Sequence, residues 1–468
     1  MSRKRLFNDN WEFVKTPFGT DKEALSGFEK DFVGVDIPHD WMIYNTENLY
    51  ETSTGWYRKR FNTEADDNIR ILRFDGVYMD THVYVNGSLL GEWKYGYSTF
   101  EFDITDLLKA GENEILVQVD YHEPNSRWYS GAGIYRNVWL KTVPKTYLAS
   151  DGIYIVTKKN GEDFTVEIKA EAAGDLTAMG DAAKVWITYD GNVIKEGALH
   201  AVGENGVFEG SMTVEKPFVW DADTPNLYEL TVELQNGDRD SATFGFREFI
   251  FDPDRGFVAN GRPVKLRGVC EHHDLGCLGA AFHKEAMRRK FVILKGMGVN
   301  AIRTSHNMPA PELMELADEM GFYVDSEAFD MWEKPMTEFD YARFFNDWAE
   351  KDVASWVRRD RNHPSVIMWS IGNEIPDTND PRGLEITQML KGYVEAHDPK
   401  KNAGVTIGSN YMPWQGAQNC ADVVKLAGYN YAEGHYDGHH AEHPDWVIYG
   451  SETSSVVQSR GVYHFPLS

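Results

Sequence analysis

Residues Arg359 to Glu374 read RDRNHPSVIMWSIGNE, and this stretch decides the fold. Its middle, Val366 to Ile371, is a short apolar run with β-branched residues and one Trp. A strand covered on both faces need not alternate, so this predicts a fully buried parallel strand. Asn362, His363 and Pro364 are turn residues that mark its start. Gly372 ends it, and Asn373 and Glu374 follow at its C-terminal mouth. In a (β/α)8 barrel catalytic groups sit at that end of the strands.

Outward from this strand, the chain from about residue 251 alternates strand-like runs with helical ones, which predicts a parallel α/β sheet. Strands are expected at Val264–Gly268, Val299–Arg303, Phe322–Asp325, Val366–Ile371, Gly404–Ile407, Val423–Ala427 and Val447–Gly450. Helices are expected at Lys284–Lys295, Ala310–Met320, Tyr341–Arg359 and Arg382–Ala396. Seven strands are one short of a closed barrel. The expectation is therefore a TIM barrel, residues 251–468, truncated after strand seven, with weak activity or none. Before it, residues 1–146 carry many short alternating runs with turns such as Asn86-Gly87, predicting a jelly-roll-like β-sandwich. Residues 147–250 suit an immunoglobulin-like sandwich with an Asp190-Gly191 hairpin and no evident chemistry. The fold class is thus multidomain, β followed by α/β.

The chain of 468 residues has a formal charge of -26. Such acidity disfavours nucleic acid and anionic membranes as partners. No window is apolar enough to span a bilayer, and the start MSRKRLFNDNWEF lacks the apolar core of a signal peptide. Three cysteines, Cys270, Cys277 and Cys420, lack metal-ligand spacing and argue against a disulfide framework. A cytoplasmic, reduced protein is expected.

Polar residues cluster after the expected strands: Glu271 to Asp274, Arg303 to Asn307, Ser326, Glu327 and Asp330, Asn373 and Glu374, Asn430 and Tyr431, Ser451 and Glu452. One acid at a strand end is usually a solvated loop residue, but so many groups share a single surface here. Glu374 and Glu452 can face each other across the mouth. Retaining glycosidases hold two carboxyls roughly 5–5.5 Å apart, one as nucleophile and one as acid/base. The loop NSRWYSGAGIYR, Asn125 to Arg136, can supply Arg127 and Trp128 as contacts or be ordinary interdomain packing.

The motifs GWYRKRF, FDGVYMDTHVYVNG, SGAGIYRNVWL, RGVCEHHDLG, GVNAIRTSHNMP, RDRNHPSVIMWSIGNE and VIYGSETSS occur in order along the chain. Together they resemble glycoside hydrolase family two, the β-galactosidase, β-glucuronidase and β-mannosidase family. The resemblance implies Glu374 as general acid/base and Glu452 as nucleophile. It implies that Asn373 binds the sugar 2-hydroxyl, that Arg303 lies under the nucleophile and that Tyr431 hydrogen-bonds it. His306 and Asp274 would bind sugar hydroxyls, with Arg127 and Trp128 reaching in from the first domain. A terminal β-galactoside is the expected substrate, with a β-glucuronide or β-galacturonide as the alternative. No cofactor is implied, and a homo-oligomer is compatible. A sugar-binding protein on an inactive scaffold is the competing class.

Some large β-galactosidases hold magnesium through a Glu and a His two residues later, and Asp330 and Trp332 stand at the matching positions. Trp cannot ligate a metal, so no such site is expected. His272 and His273 are neighbours, and adjacent strand residues point to opposite faces, so they are not expected to share a metal either. The Asn and Lys with which glucuronidases read the sugar carboxylate would fall beyond Ser468.

Overall fold

In the computed structural model, which describes residues 4–455, the apolar run becomes the middle strand of a seven-stranded parallel sheet. The barrel strands are β1 (Gly268–Glu271), β2 (Ala301–Thr304), β3 (Tyr323–Glu327), β4 (Val366–Asn373), β5 (Gly404–Ser409), β6 (Leu426–Asn430) and β7 (Val447–Glu452). They pair in chain order. All eight residues of β4 are buried, which is why its sequence does not alternate. The sheet curls until Cys270 on β1 donates its Sγ–H to the Ser451 carbonyl on β7 at 3.5 Å. Residues 456–468, where an eighth strand would have to begin, lie outside the described residues.

Helices α1 (Lys284–Gly296), α2 (Pro311–Met320), α3 (Phe345–Asp360), α4 (Pro381–His397), α5 (Gln415–Val424) and α6 (Tyr436–Glu442) connect the strands. Three expectations need correction. The first strand is Gly268–Glu271, not Val264–Gly268, because Arg262–Pro263 joins Phe249–Asp252 and Gly256–Ala259 in a small antiparallel sheet. Val264 and Leu266 pack into the apolar cluster formed by that sheet at the base of the barrel. The sixth strand is Leu426–Asn430, not Val423–Ala427, because Gln415–Val424 is a helix, ended by Lys425 in the left-handed region (φ +62°). The third helix starts at Phe345; Tyr341–Arg343 is a separate 3-10 turn capped by Asp340. No helix among the described residues is long and apolar enough to cross a membrane.

The first sandwich has two antiparallel sheets. One runs in the order Lys4–Leu6, Val138–Val143, Ile69–Phe74, Phe100–Asp103. The other runs Val33–Val35, Trp11–Thr16, Ser53–Thr63, Gly111–Tyr121, Thr81–Val85, Ser88–Trp93. Asn86 (φ +48°) and Gly87 (φ +83°) form the expected hairpin turn. The core of this sandwich is continuous with that of the barrel. The Tyr95 and Tyr341 rings lie 4.2 Å apart, tilted at 46°. Arg136, 1% exposed, donates Nη1–H to the Tyr97 carbonyl and Nη2–H to the Met308 carbonyl, both at 2.8 Å. The two domains are therefore bolted together by buried polar groups as well as by apolar area.

The second sandwich has its own core. Its eight strands form one continuous hydrogen-bonded sheet, in which His200 and Ala201 pair with Glu209 and Phe208. The strand Asn192–Ala201 escaped the sequence reading because nearly all of it is exposed. Asp190 (φ +50°) and Gly191 (φ +75°) make its hairpin. Asn362, expected only as a turn residue, docks this domain: its Nδ2–H goes to the Ile153 carbonyl (2.8 Å) and its Oδ1 accepts from the Ile155 amide (2.9 Å).

Candidate active site

The site is built where β2, β3, β4, β6 and β7 end. A side chain at Gly372 would meet Ile375 Cγ1 at 2.7 Å and Trp332 Nε1 at 3.0 Å, so the last turn of β4 passes close against its neighbours. Glu374 follows in the left-handed region (φ +50°), and its amide donates to the Gly408 carbonyl at 2.9 Å. This turns its carboxylate into the mouth rather than along the strand. Its Oε1 accepts from Asn430 Nδ2 (3.1 Å) and its Oε2 from Arg127 Nη1 (3.2 Å).

Glu452 ends β7. Its Oε1 accepts from Arg303 Nη1 at 2.8 Å and its Oε2 from the Tyr431 hydroxyl at 2.6 Å. Burial raises the affinity of this carboxyl for a proton, but Tyr431 and the Arg303 charge outweigh it and hold the group below the ordinary glutamate range. The Tyr431 phenol in turn is pushed up to about 12, chiefly by its hydrogen bond to that carboxylate.

Arg303 on β2 is the shared centre. Besides Glu452 it donates Nη2–H to Glu327 Oε2 (2.6 Å) and Asn373 Oδ1 (2.9 Å), and Asp325 lies 3.8 Å from its Nε. Desolvation works against the charge of this buried guanidinium, but Glu327 and Asp325 more than offset it, and its pKa stays well above the ordinary arginine value. His306 bonds Glu327 through Nδ1 at 2.6 Å, and its Nε2 lies 3.5 Å from Glu452. Burial pushes this imidazole far toward its neutral form. Asn373 is fixed from both ends: Oδ1 accepts from Arg303 and from Asn430 (3.0 Å), and Nδ2 donates to Asp330 (2.9 Å).

Glu327 is a site residue that sequence reasoning did not single out, and Asp330 was weighed there only as a metal position. Asp330 is 2% exposed and is gripped by Arg127 through Nε at 2.7 Å and through Nη2. Glu327 is fully buried. Asn430 and Ser451 were also passed over, although Ser451 Oγ donates to Asn430 Oδ1 at 2.6 Å and so aims the Asn430 amide at Glu374. All four stood among the strand-end polar residues, but nothing in the sequence separated them from solvated neighbours.

The structure brings Arg127, Arg303, Asn373, Glu374, Tyr431, Glu452 and His306 into one network. Trp128 joins it by packing its ring 5.6 Å from His306 and 5.7 Å from His272, where it walls a cavity with Tyr97, Tyr341 and Asp330. Asp274 is not drawn in: its Oδ1 accepts from the Gly276 amide at 3.0 Å and caps the turn after β1. His272 and His273 lie just past β1 rather than on it. His273 bonds the Ser130 carbonyl through Nε2 at 2.9 Å. Trp332 donates its indole N–H to the Ile371 carbonyl at 3.0 Å.

Three family models match the chain. "Glycosyl hydrolases family 2, sugar binding domain" covers residues 30–144, "Glycosyl hydrolases family 2" covers 146–247, and "Glycosyl hydrolases family 2, TIM barrel domain" covers 253–431. The chain is 38% identical to a β-galactosidase of Bacteroides ovatus, over 98% of this chain and 60% of that protein. It is 36% identical to a putative β-glucuronidase of Formosa agariphila, over 79% of this chain and 37% of that one. The crystal structure of a glycosyl hydrolase family 2 member from Bacteroides cellulosilyticus superposes with a TM-score of 0.88 at 32% identity, covering 96% of this chain and 63% of that one. The chain thus spans less than two thirds of these relatives.

Proposed function

The chain belongs to glycoside hydrolase family 2, and from that premise we propose that it serves as a retaining exo-β-glycosidase acting on terminal β-galactosides. The observation that carries the mechanism is the unlike treatment of two glutamates in one network. Glu452 is held as an anion by Arg303 and Tyr431. Glu374, at the mouth, touches the neutral amide of Asn430 and an arginine already shared with Asp330.

In the first step Glu374 protonates the leaving oxygen while Glu452 attacks the anomeric carbon. Esterification removes the charge from Glu452, and Glu374, now a carboxylate, takes a proton from water as that water attacks the same carbon. Two inversions leave the β configuration. Arg303 and Tyr431 release their hold on Glu452 as its charge passes to the bond and regain it when the ester breaks. Asn373 is locked by Arg303, Asn430 and Asp330, so one Nδ2–H remains aimed for a sugar 2-hydroxyl, a contact that strengthens in the transition state.

The preference for galactoside over glucuronide rests on how the arginines are used. Arg127 is committed to Asp330 and Glu374, and Arg303 to Glu452 and Glu327. Neither offers a charge to a sugar carboxylate. The Asn and Lys with which glucuronidases read that carboxylate would fall beyond Ser468. Chromogenic β-galactoside and β-glucuronide assayed side by side test the sugar, and NMR of the first-formed product tests the mechanism. Release of the β anomer from the galactoside is expected. Release of the α anomer would overturn double displacement, and cleavage of a β-mannoside with both others untouched would overturn the assigned sugar.

A further inference from the structure

The loop after β5 carries an aromatic pair that the chemistry above does not use. Trp414 stacks on Tyr411 with ring centroids 5.2 Å apart and planes at 25°. Tyr411 is anchored: its ring packs against the cluster of Met412, Ala417 and Tyr429, and its amide donates to Ser409 Oγ at 3.0 Å. Trp414 is 56% exposed, so one face of its indole rests on Tyr411 and the other is open. The loop is stiff, because the Trp414 amide donates to the Tyr411 carbonyl (2.8 Å) and Gln418 Nε2 to the Met412 carbonyl (3.0 Å).

Its position names the occupant. Ser409 closes β5, and the neighbouring Gly408 carbonyl takes the amide of Glu374. The start of α5 presses on the segment that follows Glu374: a side chain at Gly416 would lie 2.3 Å from the Thr378 carbonyl. Trp414 therefore sits in the loop packed beside the segment that follows Glu374, the residue at which the leaving group departs under the proposed reaction. An exposed indole face carries negative quadrupole charge and suits the C–H face of a pyranose or a flat aromatic ring.

We propose that Trp414, backed by Tyr411, is the stacking platform for the leaving group, so that this enzyme prefers β-glycosides whose aglycone is itself a ring. The inference rests on the assignment of Glu374 as acid/base. Stacking of a flat ring on a single aromatic face is worth about 5- to 160-fold in binding.

The full chain is measured in two ways. In turnover, Trp414→Ala is expected to lower kcat/KM at least about 5-fold for a β-linked galactosyl disaccharide and less than about 2-fold for methyl β-galactoside, with Trp414→Phe between. In binding, the same substitution in a Glu452→Gln background is expected to weaken calorimetric binding of the disaccharide but not of galactose. Equal losses for both ligands, or no loss for the disaccharide, overturn the platform. If the binding difference persists while Glu374→Gln leaves turnover unchanged, the platform stands and the catalytic assignment falls.

Discussion

Arg127 Nη1 lies 3.2 Å from Oε2 of Glu374 while its Nε lies 2.7 Å from Asp330. A residue of the first sandwich thus bridges two carboxylates of the barrel. The mouth is complete only when both domains are docked, and the substitutions below follow from how that mouth is held.

Arg127→Lys keeps the charge and loses the fork that spans Asp330 and Glu374. Hydrogen bonds to charged groups contribute about 1.5–3 kcal/mol, so kcat/KM is expected to fall about 10- to 100-fold. Steady-state kinetics on an aryl β-galactoside checks this; activity equal to that of the unaltered protein counts against a role for the bridge.

Gly408→Ala places a methyl group 2.8 Å from Arg303 Nη2 and 3.2 Å from Ser451 Oγ. Overpacking costs about 1–3 kcal/mol. Thermal unfolding should register that loss, and turnover should fall further than stability does, because the displaced guanidinium is the one that holds Glu452.

Tyr431→Phe removes one of the two groups that keep Glu452 ionised. Its carboxyl then binds a proton more readily, so the acid limb of the kcat/KM profile, which reports the free enzyme, is expected to move to higher pH. A profile that drops in height without moving would contradict this account of the tyrosine.

Asp352→Asn tests the domain seam. Asp352 is buried between the domains and accepts from Ser98 Oγ (2.6 Å), Trp93 Nε1 (3.1 Å) and the Tyr341 hydroxyl. Burial pushes its pKa up to about 7 despite these donors. Between about pH 4 and 7 the folded chain keeps a proton that the unfolded chain has released, so stability falls as pH rises through that window and levels off above it. The single group accounts for on the order of 4 kcal/mol. Asp325 and Glu312 are raised to about 7 as well, so the readable quantity is the difference: denaturant melts of Asp352→Asn should show a shallower decline from pH 4 to 7.

The central strand was legible because burial on both faces leaves an unbroken apolar run, and the GNE turn after it marks the mouth. Gln415–Val424 was missed as a helix because its β-branched end, Val423 and Val424, runs through Lys425 into the strand that follows and was read as part of it. Val264 and Leu266 alternate as a strand would, yet they pack into the cluster at the barrel base. At the site, Glu374, Glu452, Arg303 and Tyr431 could be named from motifs. Asp330 and Glu327 could not, because an acid at a strand end reads the same at 0% exposure as in open solvent; only the packing of Arg127 and Arg303 around them tells the two apart.

The seam between sandwich and barrel also bears on how such chains diversify. Arg136 surrenders its hydration to the carbonyls of Met308 and Pro309, and Asp352 depends on Trp93 and Ser98. A hybrid joining this sandwich to a foreign barrel would strand a cation on one side and an acid on the other. Recombination between relatives should therefore be poorly tolerated across this junction, and the first sandwich and the barrel should be inherited as one unit.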